Sequence, residues 1–259
     1  MKIALTGKGG VGKTTVAAVL CRLYAAEGKK VLAVDADPDA NLGSALGFTP
    51  IEMAKLTPIS KLDELIAERT GTDNSAGNMG KFFKLNPRVD DIPDRFSLEK
   101  NGVKLLSMGN VEKGGGGCVC PESVMLKQLI SHLVIARDEV VIMDMEAGLE
   151  HLGRGTAGMM DRFIVVTEPG ERSIQTFEKL KPLAAELGIK KINVAANKLR
   201  GPEDEDFIKS RISEDELLGF IHYSEECAIA DRKGTSPFDS GGAFIEEINK
   251  IKRNLEKQK

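Results

Sequence analysis

Near its amino terminus the chain reads Gly7-Lys8-Gly9-Gly10-Val11-Gly12-Lys13-Thr14-Thr15, and these residue types at this spacing form a loop suited to holding phosphate. Glycines carry no Cβ, so backbone N–H groups can turn toward a β-phosphate, and a helix opening at Lys13 adds its positive end. Lys13 is then placed to bridge the β- and γ-phosphates, the Thr14 hydroxyl to ligate Mg²⁺, and Thr15 to touch the α-phosphate. Gly7-x4-Gly12-Lys13-Thr14 is the P-loop pattern, and it sits after a short apolar run and before the helical face Val16, Val19, Leu20 and Leu23, as the pattern requires.

Positioning such a loop takes a sheet. Short β-branched or apolar runs recur at Lys2–Thr6, Val31–Val34, Val103–Ser107, Val140–Met143, Phe163–Thr167, Ile192–Ala196 and Leu218–Ile221, reading as strands buried on both faces. Between them, Lys13–Glu27, Pro121–Arg137, Ser173–Leu187 and Phe244–Leu255 have helical spacing. The alternation predicts an α/β fold with a doubly wound, mostly parallel sheet flanked by helices, as one domain over residues 1–259. The stretch 70–96 is rich in Gly, Asn, Asp and Pro with little periodicity and reads as an irregular surface insertion.

The second lysine of the loop, Lys8, narrows the comparison: the sequence resembles the deviant Walker A P-loop group that includes MinD, ParA, the arsenite and tail-anchor ATPases and the nitrogenase iron protein. The resemblance implies ATP hydrolysis in a nucleotide-bridged homodimer, with Lys8 reaching the partner's phosphates as an arginine finger would. It makes Val34-Asp35-Ala36-Asp37-Pro38-Asp39-Ala40-Asn41-Leu42 the first switch, with Asp37 orienting or deprotonating the attacking water and Asp35 holding the Mg²⁺ shell or the phosphate loop. Asp144, closing the apolar run Val140–Met143, takes the place of the Walker B carboxylate, and Gly148 lets the second switch sense the γ-phosphate. Glu146 is either a second acid or an exposed strand-end charge. Asn197 resembles the adenine-reading asparagine, since an amide can donate and accept at once, matching the N7 and N6-amino group of adenine. Asn197-Lys198 continues as Leu199-Arg200, without a guanine-reading aspartate. Thr235–Phe238 is a candidate to close the adenine pocket.

A different chemistry resides in Cys118-Val119-Cys120. In an extended segment both thiols point the same way, Pro121 then starts a helix whose amino end favours a Cys120 thiolate, and Gly114–Gly117 leave room for a close approach. Two copies across a dimer axis would supply four soft ligands for Zn²⁺ or Ni²⁺; the alternative is a pair of small buried residues. Cys21 and Cys227 read as structural, and His132, His151 and His222 show no ligand spacing. The cysteine pair, the stretch Gly80–Pro93 and Asp144-Met145-Glu146-Ala147-Gly148-Leu149-Glu150-His151-Leu152-Gly153-Arg154-Gly155 together resemble the CooC-type nickel-insertion ATPases over nearly the whole chain. The resemblance implies a maturation ATPase that delivers Ni²⁺ from a shared Cys118/Cys120 site to carbon monoxide dehydrogenase, or to acetyl-CoA synthase as its sister branch does.

Bulk composition agrees with an ordinary soluble protein: 41% apolar, 29% charged, net charge −3, without the basic excess of a nucleic-acid binder. Met1–Thr6 is too brief for a signal or membrane segment, so the expected location is the cytoplasm, where the four cysteines would stay reduced. Two rivals are an iron–sulfur redox ATPase like the nitrogenase iron protein and a MinD-like membrane switch using the last helix. The first needs cysteines from separated segments. The second would use Phe244, Ile245, Ile248, Ile251 and Leu255, but the opposite face mixes acids and bases.

Overall fold

Branched and leucine-rich runs become strands because side chains restricted at χ1 pack well on a pleated surface. In the computed structural model, described for residues 1–72, 83–109, 120–146, 157–189 and 191–257, they form β1 (Lys2–Thr6), β2 (Val31–Ala36), β3 (Leu98–Lys100), β4 (Val103–Ser107), β5 (Val140–Met145), β6 (Arg162–Thr167), β7 (Ile192–Leu199) and β8 (Leu217–His222). The order across the single sheet is β3-β4-β2-β5-β1-β6-β7-β8. Every neighbouring pair is parallel except β3 on β4. The doubly wound α/β expectation is therefore borne out. The short edge strand β3 escaped sequence reading because Leu98-Glu99-Lys100 is too short and too charged to show an apolar period.

Around the sheet lie α1 (Lys13–Ala26), α2 (Leu42–Ala45), α3 (Pro50–Met53), α4 (Asp63–Thr70), α5 (Ile92–Phe96), α6 (Pro121–Ile135), α7 (Glu171–Glu186), α8 (Pro202–Arg211), α9 (Glu225–Lys233) and α10 (Ala243–Lys257). Strand alternation splits the interior into two cores. Ile3 and Leu5 of β1 face Val16, Val19 and Leu20 of α1 and Ile248, Ile251 and Leu255 of α10. Ala4 faces the other way, toward Met125 and Leu129 of α6 and Phe177 of α7.

Helix α10 spends its apolar stripe inside this core. Phe244, Ile245, Ile248, Ile251 and Leu255 are all buried, and Lys252, 2% exposed, pairs with Glu27 at 2.7 Å and Glu256 at 3.1 Å while lying over the Tyr24 ring. Among the described residues no helix is long and apolar enough to cross a membrane.

The 70–96 stretch is less irregular than its composition implied. Residues 73–82 lie outside the described residues, but Val89 and Ile92 enter the core and Ile92–Phe96 is helical. Arg69 donates two hydrogen bonds to Asp91, at 3.0 and 2.9 Å, and Lys84 N–H donates to the Thr70 carbonyl. Pairing that depends on such distant partners leaves no local periodicity to read.

Candidate functional site

The carboxyl ends of β1, β2, β5 and β7 converge, as ligand-binding strands do in open α/β sheets. After Thr6 the chain turns at Gly7, with φ 144, where a Cβ would run into the Val166 carbonyl of β6. It re-enters regular structure at Gly12, the N-cap of α1 with φ 93, where a Cβ would collide with the Asn197 amide. Only glycine fits both places. Gly9 and Gly10, exposed with open space where side chains would be, leave the loop free to receive a ligand. Gly9, Gly10, Gly12, Lys13, Thr14 and Thr15 line one wall of a cleft of about 630 Å³.

Lys13 is 7% exposed, and its ammonium lies 4.0 Å from an Asp37 carboxylate oxygen. Asp37 also accepts the Asp39 N–H at 3.0 Å, tightening the turn after β2. Lys8 is half-buried, and its side chain makes no hydrogen bond or ion pair with the described residues. Glu146 is exposed, and its carbonyl accepts the Thr6 hydroxyl at 2.9 Å, which ties the end of β5 to β1.

Two buried carboxylates stand at the strand ends. Asp35 accepts the Leu42 N–H at 3.0 Å and the Asp37 N–H at 3.4 Å, so it ties down the segment after β2. It does not reach out to the phosphate loop by any hydrogen bond among the described residues. Burial, then the neighbouring Asp144, pushes its pKa up to about 7, against the pull of those two amides. Burial likewise raises Asp144 to about 6, although the Thr14 hydroxyl and the Lys13 charge oppose the shift. Among the described residues neither Asp144 oxygen has a partner at hydrogen-bond geometry. A buried anion with free oxygens beside a threonine hydroxyl is the donor chemistry of a hard divalent cation, so Thr14 and Asp144 fit Mg²⁺.

Asn197 points its amide at the loop, where it donates to the Val11 carbonyl at 2.8 Å. The adenine-reading expectation thus meets an amide already used to support the phosphate loop. The next residue, Lys198, which sequence reading passed over, donates to the Gly10 carbonyl. The far wall of the cleft comes from the β8–α9 junction: His222, Tyr223, Ser224 and Cys227. Ser224 caps α9 by accepting the Cys227 N–H at 3.1 Å, and burial pushes the Cys227 thiol up to about 11. Thr235–Phe238 does not wall the cleft. Ser236 is buried beside Gly47, and the Phe238 ring stacks under Arg22 of α1.

Cys118, Gly114–Gly117, Gly148 and His151 lie outside the described residues. Cys120 is the N-cap of α6, in extended backbone with Pro121 next, as expected, and its sulfur lies 3.1 Å from the Ser123 hydroxyl. Cys21 is fully buried. Among the described residues no three His, Cys, Asp or Glu side chains are arranged to hold a metal ion.

Residues 2–238 match the CobQ/CobB/MinD/ParA nucleotide binding domain. The chain belongs to this nucleotide-binding family. It is 48% identical over 251 residues to the carbon monoxide dehydrogenase accessory protein CooC of Rhodospirillum rubrum, covering 97% of this chain and 94% of that one. An uncharacterised ATP-binding protein of Methanocaldococcus jannaschii is 45% identical over 254 residues, covering 97% and 96%. The resemblance to CooC-type ATPases drawn from the cysteine pair and the strand-end motif is borne out. In fold, the chain superposes on a plasmid partition protein of Borrelia burgdorferi bound to AMPPNP with a TM-score of 0.70 at 18% identity, covering 100% and 99% of the two chains. It superposes on a chain of the MinC:MinD cell division protein complex of Aquifex aeolicus with a TM-score of 0.68, also at 18% identity, covering 100% and 97%. The protein is a P-loop ATPase of this family, and the strand-end cleft is its candidate nucleotide site.

Proposed function

We propose that this ATPase is an accessory protein for a carbon monoxide dehydrogenase, or the related acetyl-CoA synthase, and that its cargo is Ni²⁺ held by Cys118 and Cys120 of two protomers. The observation that carries the reading is near full-length identity of 48% to a carbon monoxide dehydrogenase accessory protein. It is supported by Cys120 standing at the head of α6 as its N-cap, with Pro121 opening the 15-residue helix. A single chain supplies too few soft ligands for a closed tetrahedral or square-planar site, and pairing two chains completes the set. Zn²⁺ would occupy the same thiolates.

In this reading ATP lies along the cleft with its phosphates over Gly9–Thr15. Lys13 holds the β- and γ-phosphates, the partner's Lys8 supplies a second cation, and Asp37 orients the attacking water. Mg²⁺, held by Thr14 and Asp144, would offset the negative charge of the phosphates. A Lys8 ammonium without a partner among the described residues and the exposed Gly9-Gly10 edge suit a surface completed by a second copy. Nucleotide binding closes the dimer and joins the cysteine loops; hydrolysis opens it and frees the metal for the client.

The test is metal content of purified protein with and without ADP or ATP, for the wild type beside a Cys118→Ala/Cys120→Ala variant. About one Ni²⁺ or Zn²⁺ per dimer, lost in the variant while ATP binding persists, is the expected result. Metal retained in the variant, or iron with acid-labile sulfide in the wild type, would overturn the nickel site.

A further inference from the structure

Successive side chains of a strand point to opposite faces, so two neighbours on one strand do not normally reach the same loop. Asn197 and Lys198 do: the first donates to the Val11 carbonyl, the second to the Gly10 carbonyl. The backbone makes this possible. Lys198 has φ 62, the left-handed region that a lysine rarely adopts, and the β7–β8 ladder is irregular between Ala196 and Leu199. The other described non-glycine residue with positive φ, Asn101, sits in the β3–β4 turn beside Gly102, where such a conformation is routine. Lys198 lies inside β7 and not in a turn, and strain of this kind persists only where surrounding contacts over-determine it.

We propose that Lys198 is a positioning residue of the phosphate loop, clamping the Gly10 carbonyl while Asn197 clamps that of Val11, so that the loop is held ready for nucleotide. A planar trans peptide unit carries its C=O and the following N–H in opposite directions. Tying the Gly10 and Val11 carbonyls to β7 therefore turns the Val11 and Gly12 amides away from β7. The Val11 N–H keeps only a long contact of 3.4 Å to the Lys8 carbonyl, which leaves it free for a phosphate oxygen. The distorted strand end also carries the cleft's far wall, because the Tyr223 N–H donates to the Leu199 carbonyl at 2.8 Å. One bulge thus sets both the phosphate loop and the wall facing it.

The experiment compares Lys198→Met, Lys198→Arg and Lys198→Gly in the full-length protein, reading the ADP Kd, the ATP KM and kcat, and the Tm. Losing a charge-assisted hydrogen bond at an exposed lysine should raise Kd and KM roughly three- to tenfold in Lys198→Met. With the loop's chemistry intact, kcat should stay within about twofold. Lys198→Arg, which keeps a charged donor, should recover most of the affinity. Lys198→Gly relaxes the left-handed backbone, so its Tm should hold or rise while its affinity falls as in Lys198→Met. Wild-type affinity in the Met or Gly variant, an Arg variant no better than Met, or a Tm loss in Lys198→Gly that tracks the affinity loss would each overturn the clamp.

Discussion

Asp35 and Asp144 face each other across adjoining parallel strands, paired in the β2–β5 ladder with 2% and 0% of their surfaces exposed. One carboxylate ties down the segment after β2, and the other stands beside Thr14 with neither oxygen hydrogen-bonded among the described residues. Holding two such groups side by side in the interior is unfavourable whenever both are ionised, and a divalent cation at Asp144 would relieve it.

The consequence is a pH dependence with an unusual slope. Both folded-state pKa values, about 7 for Asp35 and about 6 for Asp144, lie above the ordinary carboxylate value, so the native chain binds these protons more tightly than the unfolded chain does. Their contribution to stability is full below about pH 4 and is lost as pH rises through 6 to 7. Ligand-free Asp144→Asn should therefore be more stable than wild type at pH 7.5, by about 2–3 kcal/mol, with the gap closing toward pH 4. Denaturant titrations across that range check it. The same variant should gain no stability from Mg²⁺ with ADP, and a pH-independent gap would count against the buried-charge account.

Asp35→Ala should release the turn that follows β2. Both amides it accepts, Leu42 and Asp37, would lose their partner. Hydrogen exchange at the Leu42 amide should accelerate, and kcat should fall about tenfold or more through a misplaced Asp37, with ADP affinity little changed. An equal loss in ADP binding would mean that Asp35 acts on the phosphate loop itself.

Lys13 and Lys8 should separate binding from turnover. Lys13→Ala removes the loop's buried ammonium and should weaken ATP binding by roughly two orders of magnitude, abolishing nucleotide-dependent dimerisation in light scattering. Lys8→Ala, which breaks no side-chain hydrogen bond or ion pair with the described residues of its own chain, should keep ADP affinity near wild type and lose kcat. Full turnover in Lys8→Ala would remove the partner-lysine role.

Helix α10 should stay on its own core. With Phe244, Ile248, Ile251 and Leu255 buried and Lys252 pinned to Glu27, the protein should remain in the supernatant when spun with anionic liposomes and ATP. Lys252→Ala should lower stability by about 1–3 kcal/mol through lost packing and ion pairing. Liposome binding by the wild type would revive the membrane reading.

What the sequence determined alone was whatever is local. A phosphate loop is read from contiguous glycines, a lysine and a hydroxyl because its chemistry is mostly backbone; the parallel strands announce themselves as apolar runs ending in Asp35, Asp144 and Asn197; and Cys120 before Pro121 already marks the head of a helix. Tertiary structure decided which of these ends meet and what each side chain does there. No local pattern could place Asp35 opposite Asp144, turn Asn197 onto Val11, or bend Lys198 back to Gly10, since each depends on strands distant in sequence lying side by side and on a ladder irregularity that periodicity does not record. The amphipathic stripe of α10 is the same lesson: its spacing demands an apolar partner, and only the packed fold shows that the partner is the sheet and α1.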